Sequence, residues 1–307
     1  MNNQPTTEDR IWAALSHLSA LAFGMGILLP IIGWSEQRRK SNYASFQCLQ
    51  ALGYQSLGYT VWILLTLLIM IVLIFVMIPV ISMADANGWN VDSIIAQWMI
   101  ILFAVMMGFI GLYVIFPIIA AVSCAMGGDY RYPIMGNRLA RYLEYDLTRE
   151  AWLNEDHEDR WVAAMGHFSI LIILWGMLAP LTAWIVQGNR NLFIKLQSIQ
   201  TLVYQAGVTL LYLASLFVYF FGFFLLVVTM GVTGEPGMFG FIIFIVASLI
   251  AIVIVLLIPL LHILGQWAGY RVLKGDDYRY PLIGRLVDKW ISKTSFTAAS
   301  PPPRTAA

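Results

Sequence analysis

The chain has 307 residues, 60 % of them hydrophobic and 11 % charged, with a mean hydropathy of +0.76. So little charge excludes a soluble domain, and a net charge of +1 leaves no basic footprint for nucleic acid. The composition is that of an integral membrane protein.

From the N-terminus, MNNQPTTEDR lacks the basic start of a signal peptide, so the first apolar segment is expected to be retained. That segment, 11–35, is short and carries Gly24, Gly26 and Pro30 as breakers near its middle. Residues 41–84 and 93–128 follow, each free of Asp, Glu, Lys and Arg and each longer than the roughly 20 residues a spanning helix needs. Next comes GDYRYPIMGNRL at 128–139, where Pro133 ends helical geometry. Met135, Leu139, Tyr142 and Leu143 then have the spacing of a short interfacial helix. An acidic linker, 147–160, leads to a second copy of the same series. It comprises a short segment at 161–187 with Gly176 and Pro180, long spans at 196–234 and 236–270, and DDYRYPLIGRL at 276–286. The end, 293–307, is small and proline-rich and reads as a disordered tail.

The copies are a tandem repeat, 1–146 and 161–292, because their polar residues coincide as well as their apolar pattern. His17 falls on His167, Gln47 on Gln197, Gln50 on Gln200, Tyr54 on Tyr204, Pro30 on Pro180 and Trp34 on Trp184. In the last span of each copy the proline match aligns Pro117 with Pro259.

The short segment decides the topology. If it crosses once, the repeats are inverted and the 18 Lys and Arg split eight to ten across the membrane. If it enters and leaves on one face, the repeats are parallel and all 18 lie on one side. The positive-inside rule selects the second arrangement, with both termini cytoplasmic. The expected fold is therefore an all-α polytopic membrane protein of two parallel repeats. Each has a short broken helical hairpin, two long transmembrane helices and an interfacial helix.

Within this frame Tyr130, Arg131, Tyr132 and Pro133, with Tyr278, Arg279, Tyr280 and Pro281, read as an interfacial anchor. The rings would lie at headgroup level, and the arginines would meet lipid phosphate. The intramembrane polar candidates are His17, His167, Gln47, Gln50, Tyr54, Gln197, Gln200 and Tyr204. The histidines fit either a hydrogen bond to a neighbouring helix or, brought together by pseudo-symmetry, a bis-His site. The glutamines fit either helix-to-helix bracing or a polar path between repeats, and bracing by the repeat's own hairpin is the expected arrangement. Cys48 and Cys124 read as packing residues, with no Cys/His spacing for a metal. No charged residue falls within a span, which argues against an ion-driven pump.

Trp12–Ser19, Phe46–Leu52 and Cys124–Pro133 resemble a widespread prokaryotic family of small multi-pass membrane proteins of unassigned function. That family is similar to the small multi-span subunit of the chloroplast inner-envelope protein translocon. The resemblance covers 8–146 and 158–292 and implies four hydrophobic helices per copy with both ends on one side, in the plasma (inner) membrane of a prokaryote. The expected function is a structural or interaction protein of the membrane: an assembly factor, a translocon-like component or a partner subunit. No catalytic residue, cofactor or metal is expected, and its partners would be lipid and other membrane proteins or further copies of itself. The alternative is a channel or carrier with a polar path between the repeats.

Overall fold

A computed structural model describes residues 4–146, 152–233 and 237–298, and every regular element among them is helical. The chain divides into two compact units between Glu158 and Asp159. The first holds α1 (Thr7–Leu18), α2 (Leu28–Gln37), α3 (Asn42–Ala86), α4 (Val91–Ala125) and α5 (Met135–Tyr142). The same series returns as α6 (Glu155–Phe168), α7 (Leu178–Gln187), α8 (Leu192–Thr233), α9 (Met238–Leu273) and α10 (Ile283–Ala298).

Among the described residues six helical stretches are long and apolar enough to cross a membrane, including Thr7–Gln37 and Glu155–Gln187. These two do not run straight. A 3-10 stretch, Ser19–Ile27, joins α1 to α2 and turns the chain back at Phe23, whose φ is 49°. Ile173 does the same in the stretch Ser169–Met177, also at φ 49°. A branched or aromatic residue in this region costs about 1–3 kcal/mol, and the repeats use it at equivalent positions. Gln37, at the end of α2, donates to Glu8 Oε1 at the start of α1 (2.9 Å), so the first hairpin enters and leaves at one level. The breakers act differently from their sequence reading. Gly26 and Gly176 let the chain pass its own backbone, and Pro30 and Pro180 sit in the first turn of α2 and α7, where a proline is tolerated.

Local capping explains where the hairpins begin. Thr6 and Asp9 form a reciprocal capping box at the start of α1, the Asp9 amide donating to Thr6 Oγ1 (3.2 Å) and the Thr6 amide to Asp9 Oδ2 (2.8 Å). Asn154 accepts from the His157 amide (3.2 Å) at the start of α6.

Two boundaries and one register differ from the sequence reading. The acidic linker is helical from Glu155, and Arg38 and Arg39 in the α2–α3 turn pair with Glu158 (3.1 Å) and Glu155 (2.9 Å) inside the first unit. Residues 147–151 lie outside the described residues. Helix α10 runs to Ala298, past the expected tail boundary at 293, because its residues Val287 and Ile291 pack on Leu196 and Ile199; 299–307 lie outside the described residues. Finally, Pro117 and Pro259 are not equivalent. Tyr54 donates to the Tyr113 carbonyl (3.1 Å) and Tyr204 to the Leu261 carbonyl (2.7 Å). That register pairs Tyr113 with Leu261, Ala120 with Ala268 and Pro117 with Gly265.

Candidate functional site

The first fifteen residues of α3 are enclosed by the hairpin, the end of α4 and the YRYP stretch, and the polar candidates meet there. His17, Gln47 and Gln50 are fully buried. Tyr132 OH lies 3.1 Å from His17 Nδ1, and His17 Nε2 lies 3.0 Å from Gln47 Oε1. Gln47 Nε2 donates to Asp129 Oδ1 (3.0 Å) and to the Tyr130 carbonyl (3.1 Å). Gln50 Nε2 donates to Gln47 Oε1 (3.1 Å) and to the Tyr130 carbonyl (2.9 Å), and its Oε1 accepts from the Tyr132 amide (3.0 Å).

These bonds have one consistent direction. The carboxylate and the carbonyl beside Gln47 Nε2 are acceptors, which fixes that amide and leaves Oε1 facing the imidazole as an acceptor. His17 therefore donates through Nε2. Burial holds the Tyr132 phenol well above its usual range, so it keeps its proton beside Nδ1. Both ring nitrogens are engaged.

The second unit repeats the cluster. Tyr280 OH lies 3.0 Å from His167 Nδ1, and His167 Nε2 lies 3.1 Å from Gln197 Oε1. Gln197 reaches Asp277 (3.0 Å), Gln200 reaches the Tyr278 carbonyl (2.9 Å), and the Tyr280 amide donates to Gln200 Oε1 (3.2 Å). Thr201 stands where the first repeat has Ala51; it donates to the Gln197 carbonyl (2.7 Å) and lies 3.0 Å from His167 Nδ1.

Each glutamine stripe thus meets its own hairpin and its own YRYP stretch. The anchor reading changes for half of that stretch. Tyr132 and Tyr280 are buried, stacked on Tyr54 (4.2 Å, 9°) and Tyr204 (3.9 Å, 9°), so they do not reach headgroups. Arg131 pairs with Asp129 (3.0 Å), and Arg279 pairs with Asp277 and with Asp288, rather than standing ready for lipid phosphate. Tyr130, Tyr278, Arg131 and Arg279 remain half-buried, and Pro133 and Pro281 are exposed. The aspartates were missed as participants because a Gly-Asp or Asp-Asp pair ahead of YRYP reads as a turn. Gln55 and Gln205 take a further part, donating to the Ser16 carbonyl (3.1 Å) and the Gly166 carbonyl (2.8 Å) where α1 and α6 give way to the 3-10 turn.

Tyr132→Phe isolates one bond of this cluster, since the ring still stacks on Tyr54. We expect a loss of about 1 kcal/mol, read as a small drop in thermal midpoint in detergent. An unchanged midpoint would show that the phenol does not brace His17.

The arrangement ties three parts of one repeat together and offers no nucleophile with a free base beside it. Neither the curated proteins nor the solved structures contained a match to the chain. The family model described as the magnetosome magnetite crystal formation protein family (MamF/MmsF) matches twice, at residues 8–139 and 158–287. Those spans are the two repeats, hairpin through YRYP, and the chain belongs to that family.

Proposed function

We propose that the protein is a non-catalytic structural or assembly component of the membrane in which magnetite crystals form, with both termini and the basic loops on the cytoplasmic side. The observation that supports this reading is the commitment of the polar groups. In each repeat the histidine and the first two glutamines of the stripe spend their bonds on bracing the hairpin, the long helices and YRYP. A transport path between repeats would need those same amides. The translocon-like reading rests on motif resemblance alone, whereas the crystal-formation reading rests on two matches that cover most of the chain. Partner proteins or further copies would be recruited to this scaffold.

Deleting the gene in a magnetite-forming cell tests the function. We expect altered crystal size or shape, seen by electron microscopy, with the crystal-bearing membranes still present. Crystals unchanged in number, size and shape would remove the reading.

Sidedness is tested separately by thiol labelling of full-length protein in sealed vesicles. Gln4→Cys and Ser41→Cys should label from the same side, and Asn87→Cys from the other, because the 87–90 turn lies beyond a full span from the basic loops. Labelling of Gln4→Cys and Ser41→Cys, which flank the first hairpin, from opposite sides contradicts the hairpin topology.

A further inference from the structure

The repeats share a core but differ in their outer halves. In the second, α8 and α9 stay in contact along a seam of small residues. Ser215 donates to the Ala251 carbonyl (3.1 Å), and a Cβ placed on Gly222 would lie 2.5 Å from the Ala247 methyl. Gly240 packs on the Thr229 side chain, and Phe244 lies against Tyr219 (6.0 Å) and Phe223 (6.3 Å). Helices in lipid gain no hydrophobic drive toward one another, so close approach through small residues and hydrogen bonds is what joins them.

The register set by the two tyrosine bonds gives the counterparts in the first repeat. Ser215 and Gly222 become Leu65 and Val72, and Ala247 and Ala251 become Met99 and Phe103. Every small residue of that set is replaced by a large one. The packing follows. Ser215, Ala247 and Ala251 are 4 %, 8 % and 5 % exposed, whereas Val72, Met99 and Phe103 are 51 %, 61 % and 64 % exposed. Contact between α3 and α4 is made around Tyr54, Gly58, Tyr59 and Tyr113. The glycines of α4 beyond it, Gly108 and Gly111, face open space.

We propose that the outer half of the first repeat is an open crevice filled by acyl chains of the surrounding bilayer, at the place where the second repeat has helix-on-helix contact. The crevice walls are continuous with the lipid-facing surface of α3, where Leu64, Leu68, Ile71 and Phe75 form one exposed stripe. Branched and aromatic side chains that hold α4 away from α3 hold any other helix away as well, whereas a fluid chain follows their relief. The first repeat is then the half whose helix spacing responds to lipid, and the second is the rigid half.

The test uses full-length protein in bilayers that carry chain-brominated phosphatidylglycerol and phosphatidylethanolamine, with a fluorophore on single introduced cysteines. Native Cys48 and Cys124 are buried and stay out of reach of the label. Labels at Val72→Cys, Met99→Cys and Phe103→Cys should lose as much emission to the bromines as a label at the lipid-facing Phe75→Cys. Ser215→Cys and Ala247→Cys, buried in the seam, should resist the label as the native cysteines do. Oxidation of Val72→Cys/Met99→Cys should give no cross-link within a chain. If the first-repeat labels are shielded and that pair cross-links, the crevice is closed and the proposal fails. If they are shielded and cross-links join two chains, a second copy occupies the crevice and the proposal also fails. Because all six positions lie on the outer segments, the core can be checked independently by its unchanged thermal midpoint.

Discussion

Gly26→Ala should remove the fold of the first repeat. A methyl group there falls onto the Ser19 carbonyl, 2.6 Å from its carbon and 2.9 Å from Gln55 Oε1. The obstacle is backbone on the opposite side of the hairpin, which cannot rotate away, so the 3-10 crossing has to open. Opening it would unseat Gln55 from the Ser16 carbonyl and Ser19 Oγ (3.1 and 3.0 Å). A loss above about 4 kcal/mol is in the exceptional range for one substitution and belongs to such a steric cause. Gly176→Ala should act alike, since its methyl would fall 2.8 Å from the Ser169 carbonyl carbon. Gly108→Ala, with nothing within 4 Å, is the control and should leave the thermal midpoint within about 0.5 kcal/mol of the parent. Size-exclusion profiles and thermal unfolding in mild detergent separate the three. A Gly26→Ala protein that melts with the control would show that the hairpin does not cross itself there.

The next largest effect is expected from the glutamines. Gln50→Leu leaves the buried Tyr132 amide without its acceptor and removes a donor from Gln47. Gln200→Leu does the same to the Tyr280 amide and Gln197. An orphaned buried donor costs about 1–3 kcal/mol. The bonds stay within one unit, so the two losses should add to within about 0.5 kcal/mol in the double variant. Strong non-additivity would mean that the two clusters share a structure, and it would reopen the polar-path alternative.

Much of this was legible in the sequence, for reasons that can be named. His17, Gln47, Gln50 and their counterparts stood out because polar residues in apolar helices are expensive and recur only where something holds them. The hairpin was legible from charge: 18 basic residues fall on one side only if the short segment turns back. Tyr132 misled because a tyrosine beside an arginine after a span has the same composition whether its ring lies at the headgroups or stacks on Tyr54. Pro117 and Pro259 misled because a rare residue dominates a visual match, whereas the register is set from the helix end, where Asp129 and Asp277 must reach the glutamines. Once that register is right, the contrast of Gly222 and Ala247 with Val72 and Met99 can be read from the chain alone.

The bonds between Tyr132 and His17, and between Tyr280 and His167, join residues 115 and 113 positions apart. During synthesis His17 emerges early, yet its phenol partner arrives only after both long helices have been made. Until then His17 Nδ1, Gln47 Nε2 and Gln50 Oε1 lack the partners that residues 129–132 supply. YRYP is thus the last piece to arrive and the latch that completes a repeat. The chain reaches that latch once before the second histidine is made, so the ribosome delivers a finished first half before it starts the second. Truncation just after Leu143 should leave a half that inserts and holds together, and truncation before Asp129 should leave one that is cleared.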